Sequence, residues 1–135
     1  MIRKPNKSVY LLLVLVFSVN YLAAQLAGKE QCLFEQWELA YYKIGNEKYP
    51  PSKKEKKDYL NLGTDMKFIS MSEEEIDRGT WLFNTNGSYI EMQNSKGEKL
   101  KAHIISITSK NLVLQFDIDE LRAIEVHYSA SVGEE

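Results

Sequence analysis

Side chains able to do acid–base or nucleophilic chemistry are sparse in this chain of 135 residues, which has two histidines, His103 and His127, and one cysteine, Cys32. Both histidines fall in runs that alternate as strands, and the expected register sends them to opposite faces, so no base stands beside a nucleophile. No Gly-x-Ser-x-Gly elbow, paired-histidine metal motif or phosphate-cradling glycine loop occurs. Glu73, Glu74, Glu75 and Asp77 bunch their carboxylates, but they lack the spacing and the glycine of a calcium loop. Catalysis is not expected, and neither is a metal or another cofactor. The candidate binding residues are His103, Arg122, Tyr41, Trp37 and Phe116. A guanidinium at the rim of an apolar cup would pair with the carboxylate of a fatty-acid-like ligand, which is the role open to Arg122. Paired instead with Asp119, Glu120 or solvent, the same arginine merely steadies a loop.

The N-terminal segment decides where such a site would work. Arg3, Lys4 and Lys7 precede an apolar run from Val9 to Phe17 and a softer stretch from Ser18 to Ala24, the layout of a secretory signal. A membrane span needs roughly 20 apolar residues, and Asn20 interrupts this one too early. Cleavage is expected after Ala24, with Ala27 or Gly28 as the competing position. That leaves a single domain over residues 25–135 with no transmembrane segment, in the periplasm, at the outer membrane or outside the cell. Lys29, Glu30 and Gln31 stand where a lipoprotein signal needs small residues, so Cys32 reads as unlipidated. A lone thiol cannot form an internal disulfide, and it reads as a half-buried small hydrophobe. The chain has 17 basic and 19 acidic residues, and loss of the basic leader makes the domain more acidic still. General attraction for nucleic acid is thereby excluded.

The elements that would position these residues are strands. Short β-rich runs recur every ten or so residues with turn signals between them, which points to a barrel or sandwich. Asn86-Gly87 is the strongest hairpin signal, because both positions of a primed turn need φ > 0. It sets Phe83 opposite Ile90 and Trp81 opposite Met92, all on one face. A turn at Lys110-Asn111 would set Ile107 against Leu114, Ile105 against Phe116 and His103 against Ile118. A three-residue loop, 119–121, would set Ile124 against Phe116, Val126 against Leu114 and Tyr128 against Leu112. A turn at 63–65 would align Leu62 with Met66 and Leu60 with Phe68. On the first strand Trp37, Leu39 and Tyr41 share a side. Ser72 and Glu75 fit a capping box, so one helical turn is expected over 72–78. The eight strands, at about 37–44, 58–62, 66–71, 80–85, 88–93, 101–109, 112–118 and 122–129, would close into an antiparallel up-and-down barrel. A two-sheet β-sandwich is the alternative.

The first-strand tryptophan, the Gly63-Thr64-Asp65 turn, Gly79-Thr80-Trp81 and the late run from Ile107 to Leu114 together resemble the small bacterial lipocalin-like domain family over about residues 33–129. Glu35 stands where that family usually has glycine. The resemblance implies a barrel in the cell envelope or outside the cell, and it supplies no catalytic residues. In an up-and-down barrel the 45–57, 72–78, 95–100 and 119–121 connections share one end, which is therefore the open one. Two functions follow: a non-catalytic module binding a small hydrophobic or amphipathic ligand at that end, or a structural or protein-interaction accessory domain of the envelope, its barrel fully packed, that binds a partner through exposed residues such as the 45–57 loop. The many large inward side chains favour a packed interior, since eight strands leave room for side chains or one small ligand. The run Lys53, Lys54, Lys56 and Lys57 reads as a solvated loop.

Overall fold

The structure is a computed structural model describing residues 30–131, so the leader read at residues 1–24 lies outside the described part. Nine strands are present: β1 (Gln36–Ile44), β2 (Glu47–Tyr49), β3 (Tyr59–Leu62), β4 (Lys67–Ser72), β5 (Glu75–Asn84), β6 (Tyr89–Asn94), β7 (Lys99–Ile107), β8 (Asn111–Phe116) and β9 (Glu125–Ala130). β1 and β3 to β9 pair in sequential antiparallel order, and β9 returns to β1 from Trp37–Ala130 to Lys43–Glu125. An eight-stranded up-and-down barrel is thereby closed, and the sandwich is set aside. Closure also removes the two edges an open sheet would expose. The ninth strand, β2, is a short flap folded back on β1 within the long connection.

Alternation explains which residues turn inward. Leu60, Leu62, Phe68, Trp81, Ile90, Met92, Ala102, Leu112 and Leu114 form one buried cluster with Trp37. In β5–β6 the expected pairs Trp81–Met92 and Phe83–Ile90 are present. The turn itself differs. It spans residues 85–88, takes its positive φ at Ser88 (52°), and is braced by Gly87 N–H donating to Asn84 Oδ1 at 2.9 Å. A longer loop with the same midpoint keeps the same register. β8–β9 also pairs as expected, Leu112 with Tyr128 and Leu114 with Val126, although the connection runs over 117–124.

Three local expectations are corrected. Leu62 pairs with Phe68 and Leu60 with Ser70, a shift of two that preserves the faces, because Gly63 N–H bonds back to Lys67 O at 2.9 Å. The helical turn at 72–78 is absent. Ser72 pairs with Glu75 across a two-residue turn in which Glu73 and Glu74 have φ of 49° and 72°. One helical turn gains little against its nucleation cost, and strand pairing wins. In β7–β8, Ile107 pairs with Leu112, Ile104 with Leu114 and Ala102 with Phe116, with a break in register between Ile104 and Ser106. Thr108 N–H donates to Asn111 O at 2.8 Å, so the two-residue turn falls one residue early, at Ser109-Lys110, and the break in β7 turns His103 outward.

The end of the barrel opposite the long connection is plugged. Residues 30–33 are helical and drop Leu33 against Trp37, both 0% exposed. Trp37 Nε1–H donates to Leu33 O at 3.1 Å, and Trp81 Nε1–H donates to Gly63 O at 3.2 Å. Phe34 meets Trp81 edge-on with centroids 5.6 Å apart. Both indole N–H groups are thus satisfied, as burial of a tryptophan requires.

Candidate functional site

The packing stops halfway up the barrel. Above it lies a cavity of about 600 Å³ with an apolar wall that includes Leu39, Leu60, Phe68, Met92, Leu100, Phe116 and Val126. Its rim is polar, carrying Glu55, Asp58, Glu73, Asp77, Glu98 and Lys99. The interior is therefore packed below and hollow above, a division that residue sizes alone do not reveal.

A bulge in β1 shapes one wall. The pairing with β9 breaks step between Leu39 and Tyr41, so Leu39 and Tyr42 line the cavity while Tyr41 turns outward. Tyr41 stacks on His127 with centroids 4.4 Å apart beneath the ammonium of Lys48. The long connection then bends through Pro50-Pro51 into a short 3-10 helix, Lys53–Glu55. Ser52 N–H donates to Glu55 Oε1 at 3.1 Å. The four lysines of this run are exposed, while Glu55 turns back to accept the Tyr42 hydroxyl.

Asp58 is the buried charge of the site, 8% exposed. Its Oδ1 accepts Glu73 N–H at 2.9 Å, which ties the base of β3 to the left-handed β4–β5 turn. Burial holds the Asp58 carboxyl above the ordinary aspartate range, with neighbouring Glu55 and Glu73 adding to the shift and the Glu73 N–H opposing it. The phenols of Tyr128 and Tyr42 are also pushed up, first by burial, then by Asp58 for Tyr128 and by Glu55 for Tyr42. For Glu55, burial would raise the carboxyl, but hydrogen bonds from Tyr42 and Ser52 outweigh it and hold it low.

These two carboxyls have opposite consequences. Asp58, raised on folding, withdraws stability at neutral pH and returns it as pH falls through its folded value. Glu55, lowered on folding, lends stability above its unfolded value and loses it as pH falls through its folded one. Carboxyl-carbon NMR is expected to show Asp58 titrating above the ordinary aspartate range and Glu55 below the ordinary glutamate range. In Tyr42→Phe the Glu55 transition moves up in pH, and an unmoved transition would remove Tyr42 from that role.

Of the five residues singled out in the sequence, Phe116 alone lines the cavity. Trp37 lies in the plug below, and Tyr41 is on the outer face. His103 packs against Tyr89 on the outside, centroids 6.0 Å apart, instead of facing Ile118 at the mouth. Arg122 is exposed and bonds Asp117 Oδ1 through Nε at 2.9 Å and Asp119 through its other arm. Arg122 therefore clamps the 117–124 loop from outside. Asp58, Tyr42 and Tyr128 were not singled out. A two-residue alternation with Leu60 and Leu62 was the available signal for Asp58.

The chain matches no protein-family model, no curated protein and no solved structure. The cavity must speak for itself.

Proposed function

We propose that this protein is an exported, lipocalin-like, non-catalytic binding module that takes a small hydrophobic or amphipathic molecule into the upper half of its barrel. The observation that carries the reading is the cavity of about 600 Å³, within the range of roughly 300–1,000 Å³ typical of small-molecule sites. An apolar wall with a few polar groups gathered at one side is also the usual chemistry of such sites. The leader read over residues 1–24 supports a place in the periplasm, at the outer membrane or outside the cell.

The test begins with protein purified from an exporting host without detergent. Native mass spectrometry should show a discrete added mass, matched by a small molecule in a solvent extract. Emptied protein should then enhance the fluorescence of a neutral apolar probe such as N-phenylnaphthylamine. Leu100→Trp, which fills the cavity from β7, is expected to weaken that probe by about tenfold or more, since it removes contact area worth over 1.4 kcal/mol. Unchanged circular dichroism would show that the barrel remains closed. Equal probe binding by the variant would sink the cavity as the site.

A second reading has its own observation. Ile44, Tyr49, Ile76 and Ile118 are exposed apolar side chains on segments that reach the open end. An envelope protein partner docking on that end would cover them.

A further inference from the structure

The polar groups of the cavity are unequal in sign. Glu55, Asp58, Glu73, Asp77 and Glu98 line it, against one cation, Lys99. Lys99 is turned toward Glu91, at 3.9 Å, with most of its side chain in solvent. Arg122 is clamped outside by Asp117 and Asp119. Among the described residues no guanidinium or imidazole lines the cavity, so a ligand carboxylate would meet repulsion.

Asp58 adds an independent observation. It is more than nine-tenths buried, and one of its oxygens is committed to Glu73 N–H. Among the described residues nothing donates to the other oxygen. The Tyr128 hydroxyl, in the same wall, likewise has no hydrogen-bond partner among the described residues. No side-chain oxygen among the described residues is both sealed from solvent and unpartnered, so the free Asp58 oxygen and the Tyr128 hydroxyl open onto the cavity, where a donor can reach them. The turn that meets Asp58 holds two non-glycine residues at positive φ, Glu73 and Glu74. That pair of positive φ values is the ordinary geometry of a primed hairpin turn, here tied to the bond from Glu73 N–H to Asp58.

From these observations, and resting on the ligand-binding reading above, we infer that the ligand is a cationic amphiphile. Its ammonium group sits against the free oxygen of Asp58, beside the Tyr128 hydroxyl. Its apolar part lies among Leu60, Phe68, Met92 and Phe116. The charge-assisted bond to the ammonium completes Asp58. Among the described residues no group of three or more acidic, histidine or cysteine side chains is placed to hold a metal ion. An organic cation, which needs one counter-charge and an apolar wall, fits better than a bare ion.

The experiment displaces N-phenylnaphthylamine from the folded protein at neutral pH with decylamine, decanol and decanoate, which share one tail. Decylamine should bind about tenfold or more tighter than decanol, with decanoate weakest. Asp58→Asn, which keeps an acceptor for Glu73 N–H, should bring decylamine down to the level of decanol and leave decanol unchanged. If decanol or decanoate equals decylamine in the wild type, the charge preference is overturned while the apolar cavity stands. If the probe and all three compounds fail to bind, the ligand-binding reading falls and this inference with it. Should Asp58→Asn fail to fold, the wild-type ranking decides alone.

Discussion

Trp37→Ala is expected to lower the unfolding free energy by about 3–5 kcal/mol, the range for emptying a fully buried indole site. Trp37 is 0% exposed, lies on the strand that closes the barrel against β9, and holds the preceding helical residues by its bond to Leu33 O. Truncation therefore opens a void under the cavity and frees the plug in one step. Domains of this size have only about 5–15 kcal/mol to lose, so the urea midpoint should fall steeply. Trp37→Phe, which keeps most of the volume but drops the N–H, is expected to lose much less, with about 1 kcal/mol of that from the hydrogen bond. Equal losses in the two variants would mean that packing of the indole is not what anchors the plug.

The second large effect comes from a residue with no side chain at all. Gly79 on β5 faces Asn94 on β6, and the two strands approach so closely that a β-carbon would overlap the Gln93 carbonyl oxygen. The same carbon would lie 2.7 Å from Asn94 Cα. Both obstacles are backbone, so neither can swing aside. Gly79→Ala must separate β5 from β6 beside Trp81, at a loss of about 1–3 kcal/mol or more. Denaturant titration measures it, and an unchanged midpoint would show that the strands part at little cost. A milder effect is expected for Gly45→Ala. Its φ of 61° is strained for alanine, yet a β-carbon there meets nothing within 4 Å.

The contrast among hairpins shows what a linear pattern carries. Phe83–Ile90 and Leu114–Val126 were legible because apolar alternation on both partners permits one register, whatever the turn between them. His103 and Tyr41 were not, because a single-residue irregularity in β7 and another in β1 reverse the facing of side chains on one side of the break relative to the other. Nothing local in the run Ala102 to Ile107 marks where that break falls, since Ile104, Ile105 and Ile107 are interchangeable in hydrophobicity. The Glu73-Glu74 turn was hidden for a different reason. Left-handed glutamates are unfavourable by themselves, and the bond from Glu73 N–H to the Asp58 carboxylate that holds the turn joins positions 15 residues apart. The candidate site was the least legible part. Tyr42, Asp58, Glu73 and Tyr128 converge only when the barrel closes, and Phe116 alone was both expected and found in the wall.

That convergence has a kinetic side. The seam that completes the barrel joins the first strand to the last, so the wall carrying Val126 and Tyr128 arrives with the final segment of the chain. Pairings between such distant segments carry a large loop-closure entropy and make folding slow. Until the seam zips, no intermediate offers a sealed pocket. A ligand that binds only the finished barrel acts on the back reaction: it holds the seam shut and slows unfolding. Occupancy would then set how long each molecule lasts among proteases that seize opened chains.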